Sequence, residues 1–273
     1  MLRKPTAPTF FLVIMKIAVC IKQVPDTAEL RIDPDTNTLI REGVDSVMNP
    51  LDVFALEAAL QLRESGGGEV TVFTMGPPQA ADVLRSAIAF GADRGVLASD
   101  RAFAGADTWS TSLTLAKAIQ VSDNFDLILT GKQAVDGDTA QVGPGIAAHL
   151  GLPQVTYVTR LQKQSEHSLL VTRMLEHGQA DLELQLPAVL SVLKAANEPR
   201  LPSLAGRLRA LRAEIQVLDC NALGVPAEEL GLEGSPTRVV DIATPRVQRS
   251  HKRFEGDPDS VACELAAMLN GGS

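Results

Sequence analysis

Short β-branched apolar runs alternate with helix-periodic stretches between Lys16 and Leu150, one pair roughly every thirty residues. This alternation constrains the fold more than any other feature of the chain. Residues 14–21 form the continuous apolar run of a buried parallel strand. Further strands are predicted over 69–75, 95–98 and 126–130, and helices over 50–65, 79–90, 107–121 and 139–150. Pro50 suits a first helical turn, Gly66, Gly67 and Gly68 end that helix, Gly91 closes the next, and Asp107 has the chemistry of an N-cap. The pattern predicts an α/β fold with a doubly wound, mainly parallel sheet. Such sheets take ligands beyond the carboxyl ends of their strands, where strand order reverses. Cys20, Met75 and Gly131 fall at those ends, so three loops distant in sequence are expected to line one cleft.

The flanking segments are less regular. Val24-Pro25-Asp26-Thr27 reads as a turn, and 30–33 and 38–41 read as a short hairpin around Pro34-Asp35-Thr36-Asn37. After Pro153, the runs 154–159, 169–174, 180–186 and 188–193 are expected as antiparallel strands that finish the sheet. Residues 201–257 are rich in proline, glycine and charge, and helix periodicity returns only at 260–269. The expected division is a loose N-terminal extension at 1–14, a nucleotide-binding α/β domain at 15–200, and a C-terminal arm at 201–273 that packs on a partner subunit. Arg3 and Lys4 before the apolar run 10–15 imitate a signal peptide, but Lys16 interrupts the run and no small-x-small site follows. Met15 is then a candidate initiation residue. No apolar run approaches the roughly 20 residues of a spanning helix.

Composition excludes several function classes. A net charge of −8 without a basic run disfavours nucleic acid, and one Trp and one Tyr supply no stacking platform for single strands. Cys20, Cys220 and Cys263 are far apart and make no C-x-x-C, which points away from a metal or iron–sulfur site and towards a reduced, cytoplasmic setting. His149, His167, His177 and His251 suggest no triad or metal set.

The stretch Gly131-Lys132-Gln133-Ala134-Val135-Asp136-Gly137-Asp138-Thr139-Ala140-Gln141-Val142-Gly143 sits between a strand and a helix. In that context glycines let backbone approach an anion, and the helix N-terminus offers unpaired N–H groups. It has neither Walker A spacing nor G-x-G-x-x-G. The whole stretch resembles the β subunit of electron-transfer flavoproteins, with its G-K-Q-A-[IV]-D-x-D-x-x-Q-x-G. Further matches follow in family order: 16–24 (KIAVCIKQV), Met48-Asn49-Pro50, Gly91-Ala92-Asp93-Arg94-Gly95, Leu186-Pro187-Ala188-Val189 and Asn197-Glu198-Pro199-Arg200.

The resemblance implies a Rossmann-like, adenine-nucleotide-binding domain. It places nucleotide contacts at Cys20, at Asn49, Pro50, Leu51 and Asp52, at Met75, and along Gly131 to Val142. Backbone at Cys20 and Met75 would read the adenine, or those residues are plain strand-end packing. Asn49 has donor and acceptor groups for adenine or ribose, or is a turn residue before Pro50. N–H groups of Gly137, Asp138, Thr139, Ala140 and Gln141, with the Thr139 hydroxyl, would cradle phosphate. Asp136 and Asp138 are expected to cap the helix or bind ribose, with a plain N-cap the larger share for Asp138. Lys22, Arg31 and Arg41 would lie near the mouth, or on a solvated surface.

The housekeeping branch of the family reads D-D-D-x-N-Q-T-G and binds AMP. Here Gly137, Ala140 and Val142 replace the second Asp, the Asn and the Thr, which opens the pocket beyond the first phosphate. Together with Val24-Pro25-Asp26-Thr27 and Arg31-Ile32-Asp33-Pro34, this resembles the bifurcating and nitrogen-fixation-associated branch. The implied cofactor is FAD, with AMP as the alternative and NADH as a possible substrate. Implied partners are an electron-transfer flavoprotein α subunit, an acyl-CoA or other flavin dehydrogenase or membrane quinone oxidoreductase, and ferredoxin or flavodoxin. Asn197, Glu198, Pro199 and Arg200 match the partner-recognition segment, but Ala195 and Ala196 stand where an apolar anchor is expected, and Arg200 has an alternative use in a turn salt bridge. A housekeeping subunit and a non-redox adenine-nucleotide module are the competing readings.

Overall fold

The computed structural model describes residues 15–26, 31–32, 39–40, 46–240 and 253–270. Elements run β1 (Met15–Cys20), β2 (Gln23–Pro25), β3 (Arg31–Ile32), β4 (Leu39–Ile40), β5 (Ser46–Met48), α1 (Asp52–Gly66), β6 (Gly68–Met75), α2 (Ala81–Phe90), β7 (Arg94–Ala98), α3 (Thr108–Ser122) and β8 (Leu127–Gly131). There follow α4 (Val142–Leu150), β9 (Gln154–Lys163), β10 (Ser168–Leu175), β11 (Gly178–Gln185), β12 (Ala188–Val192), α5 (Leu204–Arg212), β13 (Ile215–Leu218), α6 (Cys220–Leu223) and α7 (Pro258–Asn270).

One nine-stranded sheet, ordered β11-β10-β9-β12-β8-β1-β6-β7-β13, carries the fold. Strand β1 pairs in parallel with β6 on one side and with β8 on the other. Its residues alternate between two cores. Ile17 and Val19 pack with Leu56 and Leu60 of α1 and Leu84 of α2, whereas Ala18 and Cys20 pack with Leu115 and Ile119 of α3 and Ile146 of α4. Helices therefore cover both faces, as the doubly wound α/β prediction requires. The chain leaves β1 towards β6 and β7, returns through α3, and enters β8 on the far side of β1. Strand order reverses there, between the carboxyl ends of β1 and β8.

Three sequence expectations change. Strand β12 is parallel to both β8 and β9, and only β9, β10 and β11 form the antiparallel meander. Every residue of β12 is buried, the mark of a central strand covered on both faces. Val24 and Pro25 belong to a short strand paired with Val47 and Ser46 rather than to a turn. The third change concerns residues after 200. Helix α5 packs on α2 through buried Gly206 and Ala210, while Leu204, Leu208 and Leu211 face outward at 75%, 51% and 78% exposure. Its contact face is made of small residues, which hides the helix from a reading of apolar periodicity. Arg209 donates to Ile88 O at 2.9 Å and Ala92 O at 3.1 Å, tying α5 to the end of α2. Strand β13 then joins the sheet edge beside β7, so the compact unit that carries the sheet runs on to Arg238.

A second compact unit begins at Val239 and contains α7. Among the described residues no helix is long and apolar enough to cross a membrane. The short pairing of β3 with β4 matches the expected hairpin in its described residues. The extension at 1–14, Thr27, the turn at 33–38, Arg41 and His251 lie outside the described residues.

Candidate functional site

The crevice at the strand reversal is built by three segments: 20–26 after β1, 46–52 leading into α1, and 131–142 after β8. Cys20, Met75 and Gly131 end their strands as expected, with Cys20 buried and Met75 half-buried. Burial, aided by the nearby Asp52 charge, pushes the Cys20 thiol up to about 12, so it stays a neutral thiol.

Asn49 is fully buried, and its side chain is spent on the loop. Nδ2 donates to Gln133 O at 2.9 Å, and Oδ1 accepts from Val135 N at 3.1 Å. Its backbone N–H donates to Lys22 O at 2.8 Å. Asn49 thus brackets the loop after β8 against the chain leaving β1. Pro50 is exposed and Leu51 half-buried, and both precede α1, which starts at Asp52 rather than at residue 50. Asp52 is buried in the first turn, and its Oδ2 accepts the Lys22 N–H at 2.7 Å.

Helix α4 begins at Val142, three residues later than expected, with Gln141 as its N-cap residue. The cause is local: Asp138 and Ala140 adopt φ of 54° and 55°, left-handed values that no α-helix contains. Asp138 is therefore not the N-cap. Its carboxylate instead accepts from Gln133 Nε2, and its N–H donates to Ala134 O at 2.8 Å. Asp136 pairs with Lys22 Nζ at 2.7 Å across the mouth of the crevice. Both loop carboxylates are thus engaged by neighbours. Lys132 holds its ammonium 5.5 Å from the centroid of the Tyr157 ring. Gln141 Oε1 accepts from Thr108 Oγ1 at 3.3 Å, linking the loop to the first turn of α3. Gly137 and Thr139 are exposed, Ala140 and Val142 half-buried.

The loop and its strand-end neighbours match known sequences along almost the whole chain. Residues 36–223 fit the electron transfer flavoprotein domain. The chain is 49% identical over 257 residues to the electron transfer flavoprotein subunit beta of Thermoanaerobacterium thermosaccharolyticum, covering 94% of this chain and 98% of that protein. It is 50% identical over 257 residues to the caffeyl-CoA reductase-Etf complex subunit CarD of Acetobacterium woodii, covering 93% and 98%. It is also 50% identical over 238 residues to protein FixA of Azorhizobium caulinodans, covering 85% of each. The chain belongs to the electron-transfer flavoprotein β-subunit family.

The partner-recognition match of this β subunit is rigidly mounted. Arg200 bonds Glu57 Oε2 through Nε at 2.8 Å and Glu57 Oε1 through Nη2 at 3.1 Å, and its guanidinium also grips Glu64. Those hydrogen bonds raise the arginine pKa, and Arg200 holds the Glu64 carboxyl below its ordinary value. Asn197 Nδ2 donates to Phe54 O at 2.9 Å, while Glu198 is exposed and Pro199 half-buried. Arg200 therefore serves as the turn salt bridge and fixes the segment to α1.

A depression of about 790 Å³, lined by Ala58, Leu62, Arg160, Lys163, Glu166 and Asn197 among others, lies between α1 and the β9–β10 turn. None of its lining residues belongs to the three segments of the crevice. Sequence reasoning did not find the Lys22–Asp136 pair or the Asp52–Lys22 bond. Their only linear signal is a charged residue on each of three segments that the topology brings together.

Proposed function

We propose that this chain holds one FAD at the carboxyl ends of β1, β6 and β8. In this role it passes electrons between NADH or a dehydrogenase and the FAD of an electron-transfer flavoprotein α subunit. The observation that carries this reading is the space at Gly137, where an added Cβ would meet no atom within 4 Å. The loop is exposed from Val135 to Thr139, which is in keeping with a dinucleotide extending past it beyond a first phosphate. The residues present fit a dinucleotide in two further respects. Asp136 and Asp138 are turned to Lys22 and Gln133, which reduces their repulsion of phosphate. The first turn of α4 offers the unpaired N–H groups of Val142 and Gly143 beside the left-handed residues Asp138 and Ala140.

When bound, the flavin supplies hydride acceptance and one-electron transfer, and the protein supplies position and exclusion of water. Backbone at Cys20 and Met75 bounds the adenine end, and Asn49 shapes the pocket by holding the loop. The likeness to FixA and to CarD, a subunit of a caffeyl-CoA reductase–Etf complex, supports the bifurcating or nitrogen-fixation-associated branch. In that branch ferredoxin or flavodoxin takes one of the electrons. A flavin dehydrogenase or membrane quinone oxidoreductase docks at the Asn197–Arg200 turn. The outward leucines of α5, with Leu201 at 88% exposure, supply the apolar contact that Ala195 and Ala196 lack. The C-terminal unit, with Leu265, Met268 and Leu269 exposed on α7, packs on the α subunit. The described cysteines are all free, in keeping with a cytoplasmic setting.

Gly137→Asp tests the cofactor. The site has room for the side chain, so stability should change by less than about 0.5 kcal/mol. The new carboxylate would face the second phosphate, and FAD retention by this chain should fall roughly tenfold or more while AMP retention persists. Undiminished FAD retention in that variant would contradict the assignment.

A further inference from the structure

One carboxylate joins the two loops that meet at the strand reversal. Asp52, in the first turn of α1, accepts the Lys22 N–H from the chain leaving β1 at 2.7 Å and lies directly against Gly131 at the end of β8. The fit is tight: a side chain at Gly131 would strike Asp52 Oδ1 and the Leu51 carbonyl. The Lys22 N–H is a donor, so the ionised form accepts from it freely, whereas a protonated carboxyl can set its O–H against that donor.

That ionised form is unfavourable for folding. Burial pushes the Asp52 pKa from 3.8 to about 7, although hydrogen bonding from its neighbours, the Lys22 N–H among them, and the Lys22 charge pull it down. The folded chain then binds this proton more tightly than the unfolded chain does. The stability contribution of Asp52 is accordingly present at low pH and lost as pH rises from about 4 through about 7. A residue retained only for packing would not need a charge that weakens the fold. The protonation state that favours folding is the opposite of the state that ties the loops together.

We propose that Asp52 is a positioning residue whose carboxylate latches the loop after β1 to the loop after β8, and that its protonation loosens the nucleotide cleft. This rests on the reading of the crevice as a nucleotide site. The charged and titratable groups around it, among the described residues, are the Cys20 thiol on β1, the Lys22 ammonium, and Asp136 paired with Lys22 from the loop after β8. Cys20 stays neutral through this pH range, so Asp52 is the group in this cluster that changes charge near pH 7.

The test compares the wild-type heterodimer with Asp52→Asn at pH 6 and pH 8, following release of the adenine nucleotide of this chain, FAD or AMP, into filtrate. Wild type should release it roughly tenfold faster at pH 6 than at pH 8, and Asp52→Asn should release it fast at both. The same variant should unfold at a higher temperature than wild type at pH 8 and at a similar one at pH 6, because it removes a buried charge. Tight retention by Asp52→Asn at pH 8, or a wild-type release rate independent of pH, would overturn the proposal. Amide hydrogen exchange at Lys22, corrected for intrinsic rate, judges the latch without a nucleotide. Protection should drop from pH 8 to pH 6 in wild type and be low throughout in Asp52→Asn. Unchanged protection in the variant overturns the latch, whereas lost protection with no nucleotide in either protein would fault the cofactor reading alone.

Discussion

Gly131→Ala is expected to empty the nucleotide cleft and to cost the fold about 3 kcal/mol. The added methyl would stand 2.8 Å from the Leu51 carbonyl carbon and oxygen and closer still to Asp52 Oδ1. Two of these contacts are backbone and the third is a buried carboxylate, so none can swing aside as a flexible side chain would. Relief requires β8 and the start of α1 to separate, which breaks the Asp52 bonds and moves Asn49 away from Gln133 and Val135. Urea unfolding of the chain with its partner measures the first effect, and nucleotide extraction measures the second. Gly137→Ala is the matched control, since open space surrounds that position. Equal losses in the two variants would mean that close approach at residue 131 does not position the loop.

Arg200→Met is expected to destabilise the chain by about 3 kcal/mol, because it strands Glu57, whose side chain is 5% exposed, without its cation. Gln61 still donates to Glu57 Oε1 at 2.9 Å, which limits the loss. Glu64, half exposed, regains water and contributes little. Adding Glu57→Gln to Arg200→Met should recover most of the stability, since the uncompensated charge is then gone. The double variant should still bind the proposed dehydrogenase partner less well, because the Asn197–Arg200 turn has lost its guanidinium bridge to α1 and keeps only the Asn197–Phe54 bond and the Arg200 backbone bond. A single variant as stable as wild type would show that the guanidinium does not hold this turn.

The sheet was legible where burial on two faces leaves an unbroken apolar run, as at 14–21 and 126–130, and where glycine or an acidic cap marks a helix end, as at Gly67, Gly91 and Asp107. It was not legible where contact is made by the smallest residues. Helix α5 buries Gly206 and Ala210 and turns its leucines outward, the reverse of the usual amphipathic pattern. The direction of β12 depends on where the β9–β11 meander returns the chain, and no local propensity encodes that. The loop after β8 was found from its glycines and its family pattern. Its left-handed residues, Asp138 and Ala140, were not, because neither is glycine. The couplings Lys22–Asp136, Asp52–Lys22 and Asn49–Gln133 span separations of 114, 30 and 84 residues, so only the assembled strand ends reveal them.

The proposed dinucleotide in the cleft between β1 and β8 exchanges electrons with a companion subunit. The most direct test is the nucleotide content of the heterodimer purified from cells, extracted and quantified against protein. The heterodimer should contain two FAD, with the flavin of this chain reduced by NADH or by a dehydrogenase. One FAD and one AMP per heterodimer would contradict it.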